Sequence, residues 1–385
     1  MEKILYATGH AVGSFNGKIV EKLDSGYIAK YRDTLIQIQK KDEWKYGGQS
    51  ALFQGRYNSE PEEFYAAVNA VCADGDKGCL YTVIAGEVSG IISKNYETGH
   101  ENHIYHSNKY KFYSAQNCPA ANQIVLSIAE NDNTKSVAVY DRNSNDLRFL
   151  TSGDAVDDNP FLDEAAEVIY YDSRGLGLNT RMEIVSVGSA SIFKTSLNGE
   201  TCDEVLAEHG YDLLCPKLDA AGNLYYIRRP YKNKARRGDS NLFVDILLLP
   251  FRLAANLIRG LMFLSKLGTK NKERKNINTF GNNPSVQKEL SDFDLYVYGE
   301  LINAQKDEEA NSKHEKTAGF APKNYELFRL KPDGNKELLR RGVLSYDIDT
   351  SGTLYYSNGR YVFKAEESGD KVVLKDKIIL NIKVH

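Results

Sequence analysis

Three histidines in one short stretch are the first residues of this chain that could bind a metal ion. His100, His103 and His106 follow one another at intervals of three residues. On a helix this spacing would bring neighbouring imidazoles close enough to share a metal ion. On a strand, successive members would point to opposite faces and could not converge. The aromatic residues that follow are typical of strand and loop, so the sequence offers these histidines as metal ligands without favouring that use.

Grouped carboxylates offer a second kind of cation site. Asp157, Asp158 and Asp172 lie close together in the sequence, with Arg174 nearby, and we expect all four in loops. Such carboxylates can hold Ca²⁺, but aspartate more often stabilises a turn through the local backbone. The sequence contains neither a Gly-x-Ser-x-Gly nor a His-Glu-x-x-His motif. We therefore predict no catalytic residue and no cofactor.

Composition and charge limit the classes of partner. The chain has 385 residues, a formal net charge of −3 and 42% hydrophobic residues, values ordinary for a globular protein. It has no overall basic field, so we expect no nucleic-acid partner. Residues 1–7 lack the apolar run of a signal peptide, which predicts a cytoplasmic location. Cys72 and Cys79 flank a turn and could approach each other, although free buried thiols are the simpler expectation.

A repeated hairpin must position these side chains. Its signature is an aspartate, a glycine three residues later, and then a strand that contains leucine and tyrosine. Aspartate can bond the backbone of a turn and glycine supplies positive φ, so the signature predicts a turn followed by a strand. Equivalent positions of successive copies are 44, 45, 55 and 130 residues apart. Steps of about 40–50 residues are typical of four-stranded propeller blades, and the long last step holds an insertion. The signature residues are Asp163, Tyr170, Asp219, Gly222, Tyr225, Asp349, Gly352 and Tyr355.

The two ends of the chain complete the count of repeats. Residues 378–384 form one more strand that no hairpin partner follows, and residues 3–6 resemble the leucine-tyrosine strand without its leading strand. Together they complete one shared blade, which removes open sheet edges. The sequence therefore predicts an all-β, six-bladed β-propeller over residues 1–385 as a single domain, with a helical insertion in the fifth full repeat.

The hairpin signature resembles that of the TolB-like six-bladed propellers. In that group the blade motif is close to Pro-x-x-Ser-Pro-Asp-Gly followed by an apolar strand. The matching residues here are Asn159-Pro160 with Asp163, Cys215-Pro216 with Asp219 and Gly222, and Asp349 with Gly352. The resemblance covers the whole chain as a pattern. It implies an architecture and does not imply an activity. The competing folds are a pair of β-sandwiches and a seven-bladed propeller.

The repeat breaks at residues 231–291, which we expect to form an inserted amphipathic helical segment. Basic runs flank an apolar stretch, which favours binding to an anionic membrane surface or to a partner protein, with packing on the propeller as a third option. Residues 303–322 are polar and predict a mobile loop. The residues predicted to meet membrane or partner are Arg236, Arg237, Phe243, Leu247, Phe251, Leu257, Ile258, Leu261, Lys270, Lys272 and Arg274.

Two functions from different classes fit this pattern. The first is a non-catalytic binding scaffold for a protein partner, with peripheral attachment to the inner face of a membrane through the insertion. The second is a metal-dependent propeller hydrolase or lactonase with carboxylates around a central channel. A bound divalent ion would distinguish the second from the first.

Overall fold

Six antiparallel sheets, each with a path of four strands, form the computed structural model of this chain. It describes residues 3–9, 11–46, 66–130, 133–180, 183–232 and 294–385. Within these residues the sheets have the arrangement of a six-bladed β-propeller, so the predicted fold class and blade count are confirmed. We number the elements in chain order, and the blades in the order in which the chain reaches them.

The first three blades come from the first 150 residues. Blade 1 takes three strands from the start of the chain, and blades 2 and 3 are continuous. The helix α1 (Gly26–Tyr46) connects blade 1 to blade 2. The strands are β1 (Ile4–Ala7), β2 (Ala11–Phe15), β3 (Val20–Asp24), β4 (Ala66–Ala73), β5 (Gly78–Ala85), β6 (Val88–Asn95), β7 (Glu101–Ser107), β8 (Lys111–Cys118), β9 (Gln123–Ala129), β10 (Ser136–Asp141) and β11 (Asp146–Phe149).

Blades 4 and 5 carry the additions to the basic plan. Blade 4 has a fifth strand, β14, paired to the far end of β13. In blade 5, β18 pairs with β21, and the hairpin β19–β20 lies between them in the chain. The strands are β12 (Ala155–Asp163), β13 (Val168–Leu178), β14 (Ile184–Val187), β15 (Ser191–Ser196), β16 (Asp203–Leu206), β17 (Tyr211–Leu218), β18 (Leu224–Pro230), β19 (Asp294–Val297), β20 (Glu300–Asn303), β21 (Glu326–Leu330) and β22 (Lys336–Arg341).

The last strand of the chain belongs to the first blade. Blade 6 is a four-stranded meander, after which the chain adds β27 to the inner edge of β1. In this pair Ile4 lies opposite Val384 and Ala7 lies opposite Asn381, which is the strand sharing predicted from the sequence. The strands are β23 (Ser345–Ile348), β24 (Leu354–Ser357), β25 (Tyr361–Lys364), β26 (Lys371–Lys375) and β27 (Asn381–Val384).

The repeated aspartate makes the turn between the first two strands of a blade. In blade 5 one carboxylate oxygen of Asp219 accepts hydrogen bonds from the backbone N–H groups of Ala221, at 3.0 Å, and Asn223, at 2.9 Å. Gly222 has a φ of +77°, a value that costs a glycine little because it has no Cβ. Asp349 and Gly352 repeat this turn in blade 6. The turn chemistry read from the sequence is therefore confirmed.

Tyrosines fill the space between blades. Tyr81, Tyr171, Tyr226 and Tyr355 all lie on the second strand of a blade and are almost completely buried. Each ring buries a large apolar area while its hydroxyl can reach a polar partner near the surface of the sheet. This explains why the chain contains 25 tyrosines but one tryptophan.

Two helices lie outside the propeller pattern. The sequence did not predict α1, whose first turn packs Tyr27 and Ile28 into the core beside blade 2. The second helix, α2 (Ala304–Ser312), occupies the first part of residues 303–322, where we predicted a loop. Asn303 caps this helix by accepting a hydrogen bond from the backbone N–H of Lys306. The first part of residues 303–322 is therefore helical, and the mobility of this segment stays a prediction.

Candidate functional site

The inner strand of each blade faces the central channel. These strands are β27, β4, β8, β12, β17 and β23, each at one end of its sheet. They carry charged side chains into a space that propellers commonly use for ligands, since the strands of all blades converge there. The channel is therefore where the polar residues of the described chain can act together.

A pair of carboxylates lies on the two innermost strands of blade 4. Asp158 on β12 lies directly opposite Asp172 on β13, at a bulge where Asn159 adopts a φ of +50°. Oδ2 of Asp172 accepts two hydrogen bonds, from Nδ2 of Asn159 at 2.8 Å and from the backbone N–H of Cys215 at 2.9 Å. One carboxylate thus stabilises the bulge of its own blade and binds the inner strand of the next blade.

The pKa values of the two carboxylates are shifted in opposite directions. Burial raises the pKa of Asp172, and the nearby charge of Asp158 raises it further, to about 7. Burial would also raise the pKa of Asp158, but the ammonium group of Lys135 and a hydrogen bond from Ser114 hold that pKa below its usual value. Asp172 therefore changes its protonation state near neutral pH, whereas Asp158 is ionised there.

Two lysines converge on a third carboxylate across blades 5, 6 and 1. Nζ of Lys217 donates to Oδ1 of Asp347 at 2.8 Å, and Nζ of Lys383 lies 3.3 Å from Oδ2. Asp347 also accepts a hydrogen bond from the backbone N–H of Val384 at 2.8 Å. The side chain of Asp347 is 2% exposed, whereas those of Lys217 and Lys383 are 21% and 31% exposed. The lysines therefore reach channel solvent and the carboxylate does not.

The cysteines near the channel are protonated thiols. Burial raises the pKa values of Cys72, Cys79 and Cys118 to about 12, and it also raises that of Cys215. A thiol at these values supplies almost no thiolate at neutral pH and is a poor nucleophile. All the cysteines are free, which confirms the expectation of unpaired thiols.

A buried arginine holds together the two ends of the insertion in blade 5. Arg229 on β18 is 1% exposed. Its guanidinium donates to Asp212 at 3.0 Å, to the hydroxyl of Tyr325 at 2.9 Å and to the backbone carbonyl of Tyr298 at 2.9 Å. Tyr298 is in the turn of the β19–β20 hairpin, which follows the insertion. The segment therefore leaves the propeller and returns to it beside the same buried cation.

The β19–β20 hairpin reaches the channel at the same end of the propeller. The hydroxyl of Tyr298 donates to the backbone carbonyl of Leu344, just before β23, at 2.7 Å. Nearby, Lys232 forms an ion pair of 3.1 Å with Glu300 of β20. We call this end of the propeller the insertion end. The opposite end, where the aspartate turns join first and second strands, we call the turn end.

The three histidines do not share a site. His100 precedes β7, and His103 and His106 lie on it. The sequence argument expected these two rings on opposite faces, but both pack against Tyr27, with ring centroids 5.4 and 5.8 Å away. A bulge in β7, opposite Ile91 and Ile92 of β6, shifts the alternation of side chains between the two faces of the sheet. Among the described residues, no group of three or more histidine, cysteine or acidic side chains is arranged to hold a metal ion.

The other carboxylate prediction needs a correction. Asp157, Asp158, Asp172 and Arg174 lie on β12 and β13 and not in loops, because the second strand of blade 4 is eleven residues long. The aspartates predicted as turn formers at this position are instead channel and core residues. Sequence reasoning also missed Lys217, although it stands two residues before the turn aspartate Asp219, where the inner strand faces the channel.

The predicted membrane or partner residues lie outside the described residues. This applies to all of the segment 233–293. Of the helices that the structure does describe, none is long and apolar enough to cross a membrane. The residues concerned are Arg236, Arg237, Phe243, Leu247, Phe251, Leu257, Ile258, Leu261, Lys270, Lys272 and Arg274.

Comparison with known proteins places the chain by its fold. No protein-family model matches the sequence, and no curated protein matches it. A chain of the nidogen/laminin complex is similar in structure, with a TM-score of 0.52 and 9% identity over 100% of this chain and 98% of that one. TolB from Acinetobacter baumannii is similar with a TM-score of 0.50 and 10% identity, over 99% of this chain and 66% of that one.

A third solved structure, the tricorn protease, matches 100% of this chain with 34% of its own length, at a TM-score of 0.45 and 12% identity. The present chain therefore spans about two thirds of TolB and about one third of the tricorn protease. The fold is a TolB-like six-bladed propeller, as the repeat signature predicted. At these identities the likeness concerns architecture alone.

Proposed function

We propose that this chain is a non-catalytic propeller scaffold that binds a protein partner and attaches to an anionic membrane surface through residues 231–291. The observation that carries the proposal is the buried junction at Arg229. It fixes both ends of a long insertion to one end of a rigid propeller, with Asp212, Tyr298 and Tyr325 as partners. Such a junction fixes the two points at which the chain enters and leaves the insertion.

The sequence of the insertion supports a role at an interface. Its apolar residues recur at helical spacing, and basic residues stand on both sides of them. An amphipathic helix with flanking lysine and arginine binds anionic lipid by apolar burial together with electrostatic attraction. The core of a β-propeller is already filled by the side chains of its own blades, so it offers such a helix little space.

The channel residues are consistent with a scaffold. Each of the carboxylates Asp158, Asp172 and Asp347 accepts a hydrogen bond from a strand of another blade, so these groups join the blades to one another. The nidogen/laminin complex contains a chain of this fold, so a propeller of this size can take part in a protein complex. Both points support binding as the function and neither names the partner.

Flotation with liposomes tests the proposal. Wild type and a variant in which a short Gly-Ser linker replaces residues 239–275 would be mixed with phosphatidylserine-containing vesicles and with neutral vesicles. We expect wild type to float with the anionic vesicles and the variant to stay in the soluble fraction. Equal behaviour of the two proteins would remove the membrane part of the proposal.

A metal-dependent propeller hydrolase or lactonase is the competing function. It would place its metal among channel carboxylates, of which Asp158 and Asp172 are the nearest pair. Elemental analysis of the purified protein distinguishes the two proposals. A stoichiometric amount of calcium, manganese or zinc would favour the enzyme, and we expect none.

A further inference from the structure

The Lys217, Asp347 and Lys383 cluster has one more positive charge than negative. Asp347 is the partner of both lysines and lies at most 3.4 Å from each ammonium group. The lysines hold the pKa of Asp347 below its usual value even though burial opposes this, so the carboxylate is ionised at neutral pH. One negative charge therefore faces two positive charges inside the channel.

The two ammonium groups keep donors available for a further acceptor. An ammonium group has three N–H donors. Lys217 uses one for the backbone carbonyl of Tyr346 at 2.6 Å and one for Asp347. Lys383 directs its contacts to Asp347 alone among its described hydrogen bonds. Since both side chains are partly exposed to channel solvent, these remaining donors can reach a molecule that enters.

The cluster opens toward the turn end of the channel. Lys217 and Asp347 each stand two residues before the turn aspartate of their blade, Asp219 and Asp349. Lys383 lies near the end of β27. The strand end from which the chain enters the insertion lies at the opposite end, because β17 begins beside the last residue of β18.

We propose that Lys217 and Lys383 form a binding site for the carboxylate group of a small ligand at the turn end of the channel. The cluster already holds one carboxylate, that of Asp347, between two ammonium groups. A second carboxylate would complete the charge balance and fill the free donors. A narrow channel with low-dielectric walls strengthens such attraction relative to an exposed surface.

Calorimetric titration with succinate, at low ionic strength, tests this site. Succinamide, which has the same length and no charge, is the matched probe. We expect succinate to bind and succinamide not to bind. Lys383→Gln should weaken succinate binding about tenfold, the loss typical of one charge-assisted contact. Lys371→Gln, which removes a lysine exposed on the outer strand β26, is the control and should leave binding unchanged.

The variant Asp347→Asn separates a ligand site from a purely structural cluster. Removing the internal counter-charge while keeping an amide of the same shape should tighten succinate binding about tenfold. A structural cluster would lose stability in this variant without gaining affinity. No succinate binding to wild type, or equal affinities for Lys383→Gln and Lys371→Gln, would overturn the proposal even if Asp347→Asn failed to fold.

A peptide arm identifies the source of the carboxylate. Acetyl-Gly-Gly with a free carboxyl terminus would be titrated beside its C-terminal amide. Binding of succinate without the peptide indicates a small-molecule site, and binding of both indicates that a chain terminus can also enter. Either result supports the site, and membrane flotation is unaffected by both, so this test and that of the insertion can fail separately.

Discussion

Asp172 joins two blades through a single oxygen atom. Its Oδ2 accepts a hydrogen bond from Asn159 within blade 4 and another from the backbone N–H of Cys215 in blade 5. Both donors belong to residues with positive φ, +50° and +54°, at bulges of the inner strands. The carboxylate of Asp172 therefore stabilises two unfavourable backbone conformations at once, one in each of the two blades that it joins.

Asp172→Asn should remove a pH dependence of stability. The pKa of Asp172 is about 7 in the folded protein, against about 3.9 in an unfolded chain. Because the folded pKa is the higher one, this group costs stability as pH rises from about 4 through 7. Asparagine keeps an oxygen acceptor and carries no charge. We expect the variant to be more stable than wild type by on the order of 2 kcal/mol at pH 8.

Urea unfolding at pH 5 and pH 8 measures this effect. The difference between variant and wild type should be smaller at pH 5 than at pH 8, because the cost of keeping Asp172 protonated in the folded protein grows as pH rises from about 4 to about 7. Asp163→Asn, in an exposed turn of the same blade, is the control. A difference that is the same at both pH values would show that the charge of Asp172 does not determine it.

Arg229→Met should destabilise the protein far more than Arg228→Met. Arg229 is buried with Asp212, whose side chain is 4% exposed, so the substitution leaves a buried charge without its partner. Breaking a buried pair in this way costs about 3–5 kcal/mol. Arg228 lies nearer the solvent beside Glu208 and Glu326, and its loss should cost about 1 kcal/mol. Chemical unfolding of both variants checks the ranking, and similar losses would contradict the account of the junction.

The turns can be tested at Gly352. Its φ is +82° and a Cβ there would meet no atom within 4 Å, so only backbone strain opposes a side chain. Gly352→Ala should therefore cost about 1 kcal/mol, and Gly352→Asn should cost less because asparagine tolerates this conformation. Thermal unfolding measures both. Equal losses for alanine and asparagine would show that φ is not what selects glycine.

The sequence was sufficient to predict what short-range chemistry determines. The turns at Asp219 and Asp349 depend on an aspartate and a glycine at fixed spacing, and the strands after them on alternating apolar residues. Such features are visible within a few residues. The pairing of β1 with β27 could also be inferred, since two incomplete repeats at the chain ends complete one blade.

The candidate sites depended on contacts that spacing does not encode. The cluster at Lys217 combines residues from three inner strands that are distant in sequence, and a lone lysine before a turn carries no signal for it. Bulges also made predictions from strict side-chain alternation wrong. The bulge of β7 places His103 and His106 on one face, and the long strand β13 moves Asp172 from a predicted loop into the buried part of blade 4. A period-two argument fails wherever one extra residue is inserted.

Removing the last strand should open blade 1. A chain that ends at Lys377 lacks β27, so β1 loses its inner partner and Ile4 and Tyr6 lose part of their buried contacts. The inner edge of β1 would then be unpaired, and an unpaired strand edge promotes aggregation. We expect the truncated chain to melt at a lower temperature and to aggregate, as measured by calorimetry and light scattering. A melting temperature equal to that of wild type would show that the shared blade is dispensable.

The measurement that tests the central claim most directly is lipid partitioning of two charge-matched variants. In the first, five of the basic residues that flank the apolar stretch of the insertion become glutamine. In the second, five exposed lysines of the propeller become glutamine, which gives the same change in net charge. The first set is Arg236, Arg237, Lys270, Lys272 and Arg274, and the second is Lys18, Lys30, Lys77, Lys313 and Lys371.

Each basic residue near an anionic surface contributes about 1 kcal/mol to binding. We therefore expect the first variant to lose affinity for phosphatidylserine vesicles on the order of a thousandfold, and the second to bind as wild type does. Equal affinities of the two variants would contradict the claim that residues 231–291 attach this propeller to a membrane.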